Sequence, residues 1–299
     1  MEKIMHFLRT NVYVERVKHF LRPNAPFMVW MAFIFLIYIL LFHRAWNVFA
    51  VLVVFHLISL IVAFSPVGEW FMRKMDGVRE IETQMELDIL DPLFAEVYHE
   101  ANQKYDYLSC NIELYIKDEA DINGYAYGTN TIVLTRGAVE MMDEDQIKGV
   151  LAHEFGHLAN GDTRMLLALT VGNGFFSIFY MLAGLVNRII NHYLKDTSHI
   201  EFLSIHYCAY VLPLKFSRFV LTKTVLLIQL ISALLIAVGR RNNEYRADEF
   251  ACEIGYQEHL RSVLYLLHET NINQKLSFME KMKSSHPHIA KRINRLEQM

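Results

Sequence analysis

Four runs of the chain are almost free of charge, and they set its plan. Residues 23–42 and 45–68 carry no Asp, Glu, Lys or Arg, and 165–187 is likewise uncharged between Arg164 and Arg188. The fourth run, 219–239, holds only Lys223 near its start. A helix needs about 20 apolar residues to cross the hydrocarbon core of a membrane. The first three runs meet that length, and in the fourth the Lys223 ammonium can reach back to the interface. The first run is longer than the apolar part of a signal peptide and has no small-residue cleavage site. The runs predict two pairs of membrane spans.

Elsewhere the apolar positions recur with the periods of ordinary secondary structure. Asp91–Pro92 reads as the cap and first residue of a helix to about Lys104, with Leu93, Phe94, Val97, Tyr98 and Ala101 on one face. Residues 112–116 and 131–135 read as strands, and Asn123–Gly124 between them is a turn signal. A helix is predicted from Asp143, where Gln146 stands at capping-box spacing, with Ile147, Val150, Leu151 and Leu158 facing inward. Two more helices are predicted at about 240–256 and 257–270, and there are no repeats, linkers or low-complexity tracts. The water-facing segments are therefore mixed α and β.

Composition agrees with a divided chain. Of 299 residues 53% are hydrophobic and 20% charged, which excludes a disordered or fibrous protein. The net charge of −3 leaves no basic surplus for nucleic acid. Cys110, Cys208 and Cys252 are too sparse for a disulfide framework or a cysteine-based zinc site, and they point to a reducing compartment. Charge also orients the spans. Lys3, Arg9, Arg16, Lys18 and Arg22 precede the first run, only Arg44 lies between the first two, and Arg73, Lys74 and Arg79 follow the second. The positive-inside rule places both ends of this hairpin in the cytoplasm. The expected organisation is a basic tail (1–22), a membrane hairpin (23–68), a first catalytic segment (69–164), a second span pair (165–239) and a second catalytic segment (240–299). The loop 188–218 fits less well, because it carries Arg188, Lys195, Lys215 and Arg218, and its apolar stretch 202–214 is expected at the interface or re-entering it.

Candidate chemistry lies on the helix that begins near Asp143. His153-Glu154-Phe155-Gly156-His157 is an H-E-x-x-H motif: two histidines at i and i+4 face one side and can share one Zn²⁺. Glu154, beside the first ligand, is placed to take a proton from water whose pKa the metal has lowered. Downstream, Glu244-Tyr245-Arg246-Ala247-Asp248 puts two carboxylates at i and i+4. Glu244 completes a His₂Glu ligand set for one ion, and Asp248, one turn on, can accept the free N–H of a ligand histidine. His192, His199 and His206, spaced by seven, read as interfacial polar residues, since nothing beside them adds a ligand.

These motifs resemble the HtpX-type membrane zinc metalloproteases, a family related more distantly to CAAX prenyl proteases. Asn123-Gly124-Tyr125-Ala126 is similar to the family's N-A-F-A strand, and Ser285-His286-Pro287-His288 with Arg292-Ile293 is similar to its T-H-P-P-x-x-x-R-I. The resemblance implies His153, His157 and Glu244 as zinc ligands, Glu154 as general base, Asp248 as the acid behind a ligand, and residues 123–126 as an edge strand that pairs with extended substrate. Main-chain pairing of that kind tolerates many sequences, although Asn123–Gly124 also reads as a plain hairpin turn. Gly124 in place of Ala is expected to loosen the strand, and His288 in place of the second Pro is expected to alter the local turn. His286 is read either as an oxyanion donor or as a helix-start residue beside Pro287.

His153, His157 and Glu244 must meet at one ion, so an even number of crossings must separate them, as two spans do. If both ligand helices continue their spans, the ion lies about 8–12 Å beyond the span ends. The resulting expectation is a mostly helical α+β, polytopic membrane protein with about four transmembrane helices and a cytoplasmic zincin-like catalytic domain. It would sit in the bacterial inner membrane with its site facing the cytoplasm, and its partners would be the lipid bilayer and protein substrates. The reading is a quality-control endopeptidase for membrane or misfolded proteins. The alternatives are a processing protease for a lipidated or signal-bearing substrate, and a non-peptidase with a structural zinc, against which Glu154 argues.

Overall fold

The computed structural model describes residues 25–105, 108, 111–170, 181, 184–192, 211–271 and 289–299. The tail 1–22, His199, His206, His286, His288, most of the third predicted span and the centre of the loop 188–218 lie outside them. The described fold is mostly helical α+β.

The chain enters through α1 (Ala25–Phe42) and α2 (Trp46–Ala63), two apolar helices packed together around Trp30, Ile34, Tyr38 and the buried His56. At Phe64–Ser65 it turns a corner of 75° into α3 (Pro66–Asp76). Gly68 permits the corner, because a Cβ there would stand 2.3 Å from the Ala63 carbonyl oxygen. Among the described residues no single helix is long and apolar enough to cross a membrane, though α2 and α3 together pass as one bent pair.

Strand β1 (Val78–Arg79) leads to α4 (Gln84–Lys104). This helix starts eight residues earlier than expected. Thr83 accepts a hydrogen bond from the Glu86 N–H, and Glu86 accepts one from Thr83 in return. That capping box wins over Asp91–Pro92, and Pro92 is carried inside the helix. The inward face is as expected, with Leu93, Val97 and Ala101 buried.

The sheet follows in the order β1-β2-β4-β3, built from β2 (Glu113–Lys117), β3 (Gly124–Tyr127) and β4 (Thr131–Thr135). β2 and β4 are parallel, while β3 is antiparallel to β4 and forms the edge. Asn123–Gly124 is therefore no hairpin turn. The turn lies at 128–130, where Gly128 takes the left-handed conformation (φ 57°).

After α5 (Arg136–Met141) comes α6 (Glu144–Asn160), which carries the H-E-x-x-H motif. It is capped as predicted by the reciprocal bonds of Asp143 and Gln146, and it ends at Gly161 in the left-handed conformation (φ 70°). Its segment from Gly149 to Gly156 is buried on every side. It is held by α4, where Phe155 meets Phe94 and Tyr98 at ring separations of 5.4 and 5.8 Å. Complete burial of Phe155 contributes about 2–3 kcal/mol. The short α7 (Thr163–Thr170) follows. Then α8 (Leu212–Glu253) runs unbroken through the fourth predicted span into the Glu244 segment. α8 thus continues as one helix from the fourth apolar run to Glu244, whereas α6 is terminated by Gly161 before the third run begins. α9 (Gln257–Asn271) and α10 (Ile289–Leu296) close the core over α6.

Candidate metal centre

Two close helix crossings assemble the site. A Cβ on Gly156 would stand 2.9 Å from the Ala247 Cα, so glycine lets α6 and α8 meet backbone to backbone. A Cβ on Gly149 would stand 2.6 Å from the backbone of His259, which brings α9 equally near. The first crossing carries Glu244 to the two histidines. His153 Nε2 and His157 Nε2 are 3.2 Å apart, and Glu244 oxygens lie 3.5 Å from the first and 3.7 Å from the second. Donors bonded to one tetrahedral zinc at about 2.0–2.2 Å stand about 3.3–3.6 Å from each other. The three side chains thus fit a zinc ion in chemistry and in spacing, and among the described residues they form the only such cluster.

The other nitrogen of each imidazole is held by a carboxylate. His153 Nδ1 is 3.0 Å from Asp248 Oδ1, and His157 Nδ1 is 2.9 Å from Asp162 Oδ2. A hydrogen on each Nδ1 leaves each Nε2 with a lone pair pointing at the common point. Asp248 was anticipated in this place. Asp162 was not, and its signal is local: it follows directly on the Gly161 cap, five residues after His157.

Arg292, 5% exposed, is the other group that sequence reasoning gave no role. Its Nε and Nη2 donate to Asp248 at 2.9 and 2.6 Å, and its Nη1 lies 3.0 Å from Glu244 Oε2. It binds α10 to both carboxylates of α8. Only the R-I pair of the family-like motif marked it, since 44 residues separate it from Asp248.

The buried charges favour a cation. Burial and Arg292 oppose a proton on His153, but the hydrogen bonds to Asp248 and Glu244 outweigh them and its pKa is raised. Burial likewise opposes a proton on His157, yet Asp162, with Glu244 and Glu154, pushes its pKa up to about 10. Burial would raise Asp248, but Arg292 and His153 hold it below the usual carboxylate range. Four carboxylates (Glu154, Asp162, Glu244 and Asp248) against one guanidinium leave a surplus of negative charge that a divalent ion can use as well as a proton can.

Glu154, 5% exposed, lines a cavity of about 200 Å³ together with His153, Arg292, Asn123 and Gly124. Its far wall is apolar, formed by Leu260, Val263, Leu264 and Leu267 of α9. Edge strand β3 borders this cavity, and Gly124 is tight rather than loose. A Cβ there would stand 2.5 Å from Val150 Cγ1 and 3.7 Å from Glu154 Cγ, so glycine lets the strand lie against the motif helix. Asn123 is exposed at the strand's start, while Ala126 is buried and Tyr125 half-buried.

Residues 90–299 match peptidase family M48. The chain belongs to this family. Among M48-like relatives it is similar to the protease HtpX of Shewanella baltica (strain OS185), with 30% identity over 203 residues, 60% of this chain and 65% of that protein. The HtpX of Shewanella oneidensis is 28% identical over 207 residues, 62% of this chain and 67% of that one. The chain thus spans just under two thirds of the first relative's length. Among solved structures Ste24p of S. mikatae covers 96% of this chain and 67% of its own, with a TM-score of 0.50 and 18% identity. At that identity the likeness concerns the fold alone.

Proposed function

We propose that this protein is an integral-membrane zinc endopeptidase that cleaves membrane or misfolded proteins at the cytoplasmic face of a bacterial inner membrane. The observation that carries the reading is the convergence of His153, His157 and Glu244 beside Glu154, at the head of a cavity bordered by an edge strand. His153, His157 and Glu244 would hold the ion. When bound, zinc supplies a Lewis acid that acidifies water and polarises a carbonyl.

The protein's own residues account for the rest. The Glu154 carboxylate accepts a proton from the attacking water and returns it to the leaving amine nitrogen. The outer side of β3, an edge of the sheet among the described residues, takes an extended peptide as a further strand, which brings its scissile bond to the cavity. Asp248 and Asp162 fix the imidazole tautomers, and Arg292 keeps Glu244 and Asp248 paired in a buried site. The apolar wall from α9 excludes water from the peptide side chain it receives.

Membrane placement is supported by apolar side chains that face outward. On α1 and α2 these include Val29, Leu36, Trp46, Val51 and Ile61, between 51% and 68% exposed. On α8, before the catalytic core, Phe216, Phe219 and Leu230 are 57–66% exposed. Soluble proteins seldom show such surfaces, whereas a bilayer covers them.

The test uses the full chain in detergent with added Zn²⁺ and an unfolded protein as substrate. Cleavage is expected, with loss on chelation and in Glu154→Gln. Cleavage undiminished in Glu154→Gln would reject the assignment. Trapping bound proteins in cells with the same variant would show whether substrates are many or one.

A further inference from the structure

Helix α3 has two unlike faces. At about 100° per residue, Glu69, Arg73 and Asp76 lie on one side, and Val67, Trp70, Phe71, Lys74 and Met75 fill an arc of about 140° on the other. The polar side is committed to the β3–β4 hairpin. Glu69 accepts from the Thr129 N–H at 2.7 Å and from the Thr129 and Thr131 hydroxyls at 3.1 Å each. Arg73 donates to Thr131 Oγ1 at 2.8 Å. Asp76 accepts from the hydroxyls of Tyr125 and Tyr127 and pairs with Lys117 at 2.7 Å. Gly128 is what lets the turn sit on Glu69, since a Cβ there would strike the carboxylate. Both ends of the edge strand that borders the cavity are thereby mounted on α3.

The other side is exposed, although its residues are large and apolar: Val67 58%, Trp70 56%, Phe71 44% and Met75 65%. We propose that this face lies in the headgroup region of the bilayer, so that the edge strand at the active site is carried by an interfacial helix. The inference rests on reading α2 as a membrane span. If α2 stands near the bilayer normal, the 75° corner sets α3 within about 15° of the membrane plane. The outward apolar side of α2 (Ile58, Ile61 and Val62) runs through exposed Phe64 directly into this face, so the same apolar medium would cover both. An indole suits the interface, and Lys74 in mid-arc can raise its ammonium to lipid phosphates. The same helix thus presents lipid-facing groups on one side and a protein clamp on the other.

The experiment places the full chain in vesicles of phosphatidylcholine and phosphatidylglycerol that carry a nitroxide either near the headgroup or near the chain end. Tryptophan quenching is compared between the native chain and Trp70→Phe, and the difference reports Trp70 alone. Trp70 is exposed, so the substitution leaves the core intact. The headgroup label is expected to quench this difference signal at least about twofold more than the deep label, as for a helix buried about 5–10 Å. Equal absence of quenching in a chain that still floats with the vesicles would overturn the inference and leave the membrane reading intact. Stronger quenching by the deep label would also overturn it, because α3 would then continue the span. A chain that does not float with the vesicles would refute the membrane reading itself, and the inference with it.

Discussion

α6 and α8 meet at the same three donor atoms and are built in opposite ways. α6 is 17 residues long, closed by a capping box at one end and a left-handed glycine at the other, and buried all round at its motif. α8 is a 42-residue rod whose Glu244 comes 32 residues after Leu212. The spacing of the two histidines is internal to one helix, set by 3.6 residues per turn. The distance from them to Glu244 is set by how closely two helices pack, and Gly156 lies against Ala247 with no room for a side chain between them. The contrast teaches that the motif supplies half of the candidate metal centre, and that one glycine inside the motif lets the other half approach.

Five substitutions test this contrast. Glu154→Gln removes proton transfer while moving neither helix. Turnover should fall about 10²–10⁴-fold with zinc content by metal analysis unchanged, which calibrates the largest chemical effect. Gly156→Val pushes the rods apart without touching a ligand. A displacement near 1 Å should cost about 100-fold in cleavage, accompanied by loss of zinc. Retained zinc and activity would show that the crossing does not set the site.

Asp162→Asn and Asp248→Asn compare the two supports behind the ligands. Each should weaken zinc binding about 10–100-fold in chelator competition. The larger loss is expected for Asp248→Asn, because Arg292 then loses a charged partner in a buried site. Equal losses would mean that Arg292 contributes nothing to the ligand helix. Smallest of all, Asp143→Ala removes the cap of α6. It should cost about 1 kcal/mol in thermal unfolding with kcat unchanged, since the motif begins two turns further in, where Gly149 to Gly156 are buried.

What the sequence made legible was local. The H-E-x-x-H motif, the Asp143–Gln146 cap and strand 131–135 each depend on a few neighbouring residues, and each stands where expected. Asp248 was legible because i,i+4 spacing and a motif partner determine its place. The misses have physical causes. Thr83 with Glu86 outcompeted Asp91–Pro92 because a reciprocal cap satisfies more backbone donors than a proline start. Asn123–Gly124 reads as a turn by dipeptide, but the close approach of Val150 is what demands glycine there, and only packing reveals it. The run 45–68 counts as one span by charge, yet Ser65–Pro66 and Gly68 turn it through a corner. Arg292 pairs across 44 residues, a distance at which no periodicity speaks.

The unbroken course of α8 also limits how the chain can change in length. In a loop, an added residue is absorbed by the backbone around it. Inside this rod, one residue inserted ahead of Glu244 would turn the carboxylate by about 100° against everything anchored upstream, whereas seven would return it to within about 20°. Insertions and deletions between Leu212 and Glu244 should therefore survive only near whole numbers of turns, such as about seven or eleven residues, so that the rod acts as a vernier on which the ligand moves in whole steps alone.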